Sequence, residues 1–228
     1  MDQRINRSSV PDLVFDELRD AILSGRYAPG ERLPTLRALA ADLDVHVTTV
    51  RQALGRLEQL RLIEIRHGDA TRVLDWRTSG GLEALAVLGA TDAEVIPALF
   101  EARRVLLAQS ARLAAERRTD TQARGLHELV GAIAEAADDH AALFADWAFM
   151  TTIVEAAGNL VFQLIMNSVR QLYLPNVDAF TPVVADREQL VPLYQRTAAA
   201  IEAGDSDGAG TALDELAGAQ EHRMLRGR

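Results

Sequence analysis

The sequence contains no cysteine and no lysine. Without cysteine there is no disulfide, no thiolate zinc site and no thiol nucleophile, which leaves histidine and carboxylate as the protein ligands for any tightly held metal. All 24 basic residues are arginine, a compositional bias with no functional content of its own. Long apolar runs are also missing, as is a charged-then-apolar leader, so neither a membrane span nor a secretory signal is expected and the cytoplasm is the expected compartment. What is present is 228 residues, 48% of them apolar, enough to bury one or two cores, and ordinary domain sizes favour two compact units.

A net charge of −9 argues against nucleic acid until it is divided along the chain. Residues 1–74 carry 11 arginines against 11 acids, whereas residues 75–228 carry 13 against 22, so the whole excess of negative charge lies in the second part. Charges beyond a Debye length of about 10 Å are screened, and an acidic neighbour does not prevent a locally basic surface from meeting phosphate.

In the first part, Val14, Leu18 and Ile22 recur on one helix face, which stops at Gly25. Pro29 and Gly30 mark a loop, and Leu33-Pro34-Thr35 starts a short helix with the stripe Leu36, Leu39, Ala40 and Leu43. After the connection 42–45 a third helix is predicted over about Val47 to Gln59, burying Val50, Leu54 and Leu57. Leu62 to Arg66 and Thr71 to Leu74 alternate as two short strands around a turn at His67-Gly68-Asp69-Ala70. Three helices and a hairpin in this order predict a winged helix-turn-helix with a small β-hairpin wing.

From Asp75 to Gly81 the sequence reads as a linker, and beyond it no strand is predicted. Alanine-rich amphipathic runs over roughly 92–117, 121–138, 141–157, 159–174, 187–203 and 206–225 predict an antiparallel bundle, with Pro192 starting or kinking its helix. The expected fold is therefore mainly α: a winged helix-turn-helix over 1–74, a linker over 75–82, and an all-α bundle over 83–228.

A helix in the major groove reads base edges with side chains on its solvent face. The third helix offers His46, Thr48, Thr49, Gln52 and Arg56 there, with Arg51 flanking. Arg37 near the start of the second helix would reach phosphate or a guanine edge, and His67-Gly68 at the wing tip would enter the minor groove, glycine allowing close approach. Any one of these residues alone would read as ordinary solvated surface; the order of elements around them is what points to DNA.

The run Ile22 to Pro34, then Leu33 to Ala40 and Val45 to Leu54, resembles the GntR family of bacterial transcription regulators. Glu101-Ala102-Arg103-Arg104, Ala114 to Arg117, the run from His67 to Val73 joined to Trp76 to Leu82, and Ala156 to Asn159 with Tyr173 resemble its FadR branch, above all the acyl-CoA-responsive fatty-acid regulators. The branch implies six or seven helices in the second domain. The resemblance implies DNA contacts by Arg37, Thr48, Thr49, His67 and Gly68, a homodimer, and a palindromic double-stranded operator. It also marks a departure: the recognition-helix position that is commonly arginine is Val47, which cannot grip guanine.

Many members of that branch bind a divalent metal through an aspartate, a histidine four residues later and two further histidines. Here Asp146 is followed by Met150, Tyr194 takes the second position and the third falls near Leu216, a set that does not replace three imidazoles. No metal or cofactor is expected. Phe149, Met150, Tyr173 and Tyr194 make the interior more apolar, as an acyl chain requires, and long-chain acyl-CoA is the expected effector. Arg103 or Arg104 would meet its phosphate or pantetheine, and the two tyrosines its thioester. The bland reading of such aromatic and methionine positions is plain core. Other readings keep the head and give the bundle a small carboxylate or sugar acid, or dimerisation alone. Catalysis is not expected: no nucleophile, phosphate loop or metal motif appears, the histidines at 46, 67, 127, 140 and 222 are scattered, and Asp138-Asp139-His140 reads as a helix junction.

Overall fold

The first helix, α1 (Val10–Leu23), begins where Ser9 leaves an extended conformation, because the Asp12 carboxylate accepts from both the N–H and the hydroxyl of Ser9, at 3.1 and 2.6 Å. This computed structural model describes residues 9–66, 70–84 and 95–226, and the chain divides into two units, Met1–Leu88 and Gly89–Arg228.

In the first unit, α2 (Leu36–Asp42) is capped by the Thr35 hydroxyl, which accepts from the Ala38 N–H at 3.2 Å. A tight turn follows, in which Asp44 takes a left-handed conformation (φ 50°) and the Val45 N–H returns to the Ala40 carbonyl at 3.0 Å. The chain is thereby redirected into α3 (Val47–Gln59). The predicted strands are shorter than their alternation suggests: β1 (Ile63–Glu64) and β2 (Arg72–Val73) pair antiparallel, Ile63 opposite Val73. The stretch from Gly30 to Leu33, between the predicted loop and the second helix, joins them, since Gly30 N–H bonds the Val73 carbonyl, Val73 N–H the Glu31 carbonyl and Leu33 N–H the Thr71 carbonyl, all at 2.8 to 2.9 Å. Phe15, Leu18, Leu39, Val50, Leu54, Leu57, Ile63 and Val73 close the core of this unit. The segment read as a linker carries one helical turn, α4 (Trp76–Ser79), capped by Asp75, and Trp76 packs on that same core.

The second unit is all helix among its described residues: α5 (Val95–Arg117), α6 (Asp120–Ala134), α7 (Asp139–Ala156), α8 (Leu160–Tyr173), α9 (Val177–Phe180), α10 (Arg187–Ala203) and α11 (Ser206–Arg226). The ladder Arg103 to Gln220, Arg104 to Asp214 and Arg112 to Asp207 runs α11 antiparallel along α5. Asp138 caps α7, so the Asp138-Asp139-His140 junction is a helix start. Gly158 (φ 63°) turns the chain after α7, and Asn159 accepts from Val161 and Phe162 N–H to start α8. Pro192 lies inside α10 rather than at its start. Residues 174–184, read as a break, form α9 between two 3₁₀ turns and put Phe180, Val183 and Val184 into the core; segments this short, set off by Pro175 and Pro182, carry no readable period. No described helix is long and apolar enough to cross a membrane.

Leu57, wholly buried between α1, α3 and the wing, is expected to cost about 2–5 kcal/mol when changed to alanine. Val105→Ala, at a position 69% exposed, stays within about 0.5 kcal/mol. Denaturant unfolding followed by circular dichroism checks both.

Candidate nucleic-acid interface and buried polar centre

Helix α3 divides cleanly. Val50, Ala53, Leu54 and Leu57 face the core, while His46, Thr48, Arg51 and Gln52 are exposed and Thr49 is half-buried beside them. His46 occupies the cap position without using its ring as a cap, which leaves the imidazole at the surface. Arg37, in the first turn of α2, is exposed as well. A polar row of this kind, with the first-turn amides of α3 pointing outward, suits base edges and a phosphate.

Arg56, one turn beyond Gln52, is exposed too. It lies across α1, its Nη1 bonding Asp12 Oδ1 at 2.7 Å and its guanidinium 4.0 Å from the centre of the Phe15 ring. The Ser9 hydroxyl, and after it this arginine, hold the Asp12 carboxyl below its usual range. Of the stripe Thr49, Gln52 and Arg56 expected from spacing, the third member thus has its guanidinium held by a carboxylate and an aromatic ring while its side chain stays 45% exposed. The wing-tip residues His67 and Gly68 lie outside the described residues.

The second unit draws together four polar side chains from four helices. Asp146 (α7) is 2% exposed, and Tyr194 (α10) and Gln220 (α11) are completely buried. The Tyr194 hydroxyl donates to Asp146 Oδ1 at 2.6 Å, and Gln220 Nε2 reaches the same oxygen at 2.8 Å and the tyrosine oxygen at 2.7 Å. Arg103 (α5) donates from Nη2 to Gln220 Oε1 at 2.8 Å and stands 3.8 Å from Asp146 Oδ2. Burial pushes the Tyr194 hydroxyl well above the ordinary 10.0, and the neighbouring Asp146 charge pushes it in the same direction. Tyr173 is raised as well, by burial first and Asp146 second, against an opposing effect of Arg103.

Around this centre, Phe149 meets Tyr194 edge to face at 5.2 Å, Met150 is buried in the same apolar cluster, and Trp147, Tyr173 and Phe180 stack at 4.7 and 4.9 Å. Arg103 Nη1 and the Tyr173 hydroxyl are buried without a hydrogen-bond partner among the described residues. Arg104 is turned away, bound through two nitrogens to Asp214 at 2.6 Å on the exposed side of α5, so it is not brought to the centre.

Leu216 is core, and the side chain that reaches Asp146 is Gln220, one turn further along α11. Its signal in the sequence is a glutamine continuing the buried stripe Ala209, Leu213 and Leu216. A phenol, an amide and a guanidinium around one carboxylate do not fit a divalent metal, because the guanidinium already supplies the cation.

Residues 12–73 match the family described as "Bacterial regulatory proteins, gntR family", and residues 98–219 match the FCD domain. The HTH-type transcriptional regulator Mce2R of Mycobacterium tuberculosis is 35% identical, covering 94% of this chain and 91% of the relative. A fatty acid metabolism regulator protein of Enterobacter is 32% identical over 68% of this chain and 65% of its own. Among solved structures, Lar, which controls the expression of the Listeria monocytogenes agr system, shares the fold, with a TM-score of 0.60 at 14% identity over 97% of this chain and 99% of that one.

Replacing Gln220 with leucine strips partners from Asp146 and Arg103 together and is expected to cost about 1–3 kcal/mol, whereas Arg104→Ala costs less than about 1 kcal/mol because that pair faces water. Both are read from denaturant midpoints. Because Tyr173 and Tyr194 have raised values in the fold, the unfolded chain ionises first as pH rises. Their contribution is complete below the ordinary 10.0 and is lost progressively above it, so midpoints recorded across that pH should fall, and fall less in Tyr194→Phe.

Proposed function

The chain belongs to the GntR family and carries its FCD domain, a ligand-responsive transcription regulator, and from that premise we propose that it binds a palindromic operator as a cytoplasmic homodimer and releases it when a fatty acyl-CoA enters the helical unit. Base reading falls on Thr49, Gln52 and Arg51, with Arg37, His46 and Thr48 on phosphate, and His67 and Gly68 supply the wing-tip contacts. With Val47 where an arginine would grip guanine, hydroxyl and amide contacts carry more of the discrimination. The protein acts by binding and has no catalytic step.

The observation that carries the effector reading is the pair of unspent buried donors, Arg103 Nη1 and the Tyr173 hydroxyl, beside the centre built on Asp146. A thioester carbonyl or a phosphate satisfies both, and Phe149, Met150, Trp147 and Phe180 give an acyl chain its apolar surroundings. Relatives named fatty acid metabolism regulator proteins favour the same chemistry. The homodimer finds support in α8, where Leu160, Val161 and Leu164 are 67, 61 and 55% exposed, an apolar face that a second copy of the chain would cover.

Fluorescence anisotropy with labelled operator tests the reading. Long-chain acyl-CoA should release DNA, free coenzyme A should not, and Arg103→Ala should blunt the response. Gln52→Ala should weaken operator binding by about 1–3 kcal/mol. Leu164→Glu should shift the protein towards monomer in sedimentation velocity. Release by citrate or a sugar acid with no response to acyl-CoA would replace the lipid effector with a small carboxylate.

A further inference from the structure

Helices α7 and α8 are joined by the tight turn at Gly158 and Asn159, and Leu172 and Tyr173 are buried at the far end of α8. Between these ends lies a cleft of about 130 Å³, open to solvent on one side and lined by Trp147, Thr151 and Glu155 on α7 and by Gln163, Asn167 and Arg170 on α8. Val154 and Met166 make its apolar floor. That volume equals only a few water molecules at about 30 Å³ each, and is far below what a coenzyme thioester needs.

Two features separate this cavity from a simple packing gap. The first is Thr151. Ser110, Thr152, Ser168 and Thr197, the other hydroxyls of comparable position, each donate to the carbonyl four residues back, at 2.8 to 3.1 Å. The Thr151 hydroxyl makes no such bond, is closed off from solvent and has no partner among the described residues. A buried hydroxyl without a partner costs free energy that a ligand atom would return. The second feature is charge. Arginines 103, 104, 112, 117, 118, 187, 196 and 223 of this unit are committed to carboxylates, carbonyls or amides, whereas Arg170 and Glu155, both exposed at the rim of the cleft, make no ion pair or side-chain hydrogen bond among the described residues. The antiparallel turn at Gly158 and Asn159 sets Arg170 opposite Trp147 and Glu155 near the other end. From Trp147 to Glu155 the helix rises about 12 Å, which the reach of the two side chains shortens.

We propose that the cavity between α7 and α8 binds a small monocarboxylate carrying a hydroxyl or amino group at its far end, with Arg170 on the carboxylate, Glu155 on the far donor and Thr151 on the chain between them. A guanidinium gives the carboxylate a two-pronged partner. Glu155 selects against a second carboxylate by like-charge repulsion, and Asn167 serves either end as donor or acceptor. This site is separate from the centre at Asp146 and does not depend on the acyl-thioester reading.

Trp147 lines the cavity and reports on it. In full-length Trp76→Phe protein it is the sole tryptophan, and its emission is titrated with γ-hydroxybutyrate, γ-aminobutyrate and succinate. Saturable changes are expected with the first two and about tenfold weaker binding with succinate. Arg170→Ala should abolish the response, Thr151→Val should weaken it, and Glu155→Gln should recover succinate. No saturable change with either of the first two ligands, or an unchanged response in Arg170→Ala, overturns the proposal. Arg170→Ala should leave acyl-CoA release of operator intact, so failure of one site is distinguishable from failure of the other.

Discussion

A carboxylate 2% exposed inside a helical bundle is tolerated only when its charge and lone pairs are met, and Asp146 imposes that condition on the whole second unit. Four helices answer it. Tyr194 and Gln220 converge on one oxygen, Arg103 stands by the other and locks the glutamine amide in the orientation that serves both. Because α5, α7, α10 and α11 each contribute one member, any change that moves one helix is felt by three others. A ligand that engages Arg103 Nη1 competes for the same guanidinium, which gives the bundle a physical route from binding to helix displacement.

The DNA-reading head is held by a different kind of bond. Arg56 stacks on Phe15 and pairs with Asp12, tying α3 to α1 at its C-terminal half while its N-terminal half presents His46, Thr48, Thr49, Arg51 and Gln52. Both partners of that ion pair are nearly half exposed, so its role is orientation more than stability; the stability comes from Leu57, Val50 and Leu54 beneath it.

Much of this was legible in the sequence because the relevant signals are local. The periods of α1, α3 and the long helices, the cap at Thr35 and the Asn159 start of α8 all rest on neighbours within a few residues. Spacing places Arg56 on the polar stripe, and nothing local shows that Phe15, 41 positions away, and Asp12 hold its guanidinium. Gln220 was passed over for Leu216 because counting from an expected histidine position does not reveal which turn of α11 faces Asp146. The short helix α9 and the third extended segment of the wing depend on tertiary pairing, which carries no periodicity to read. The cleft beside Thr151 is not legible in the sequence for the same reason: its walls come from two helices at once.

In the proposed arrangement two copies of α3 read a symmetric operator. Hydroxyl-radical footprinting of the full-length protein on operator DNA tests it most directly. Two protected patches related by a two-fold axis and spaced by about 34 Å, one turn of the duplex, or a multiple of it, are the predicted result. A single asymmetric patch, with one chain bound per DNA duplex, would contradict it.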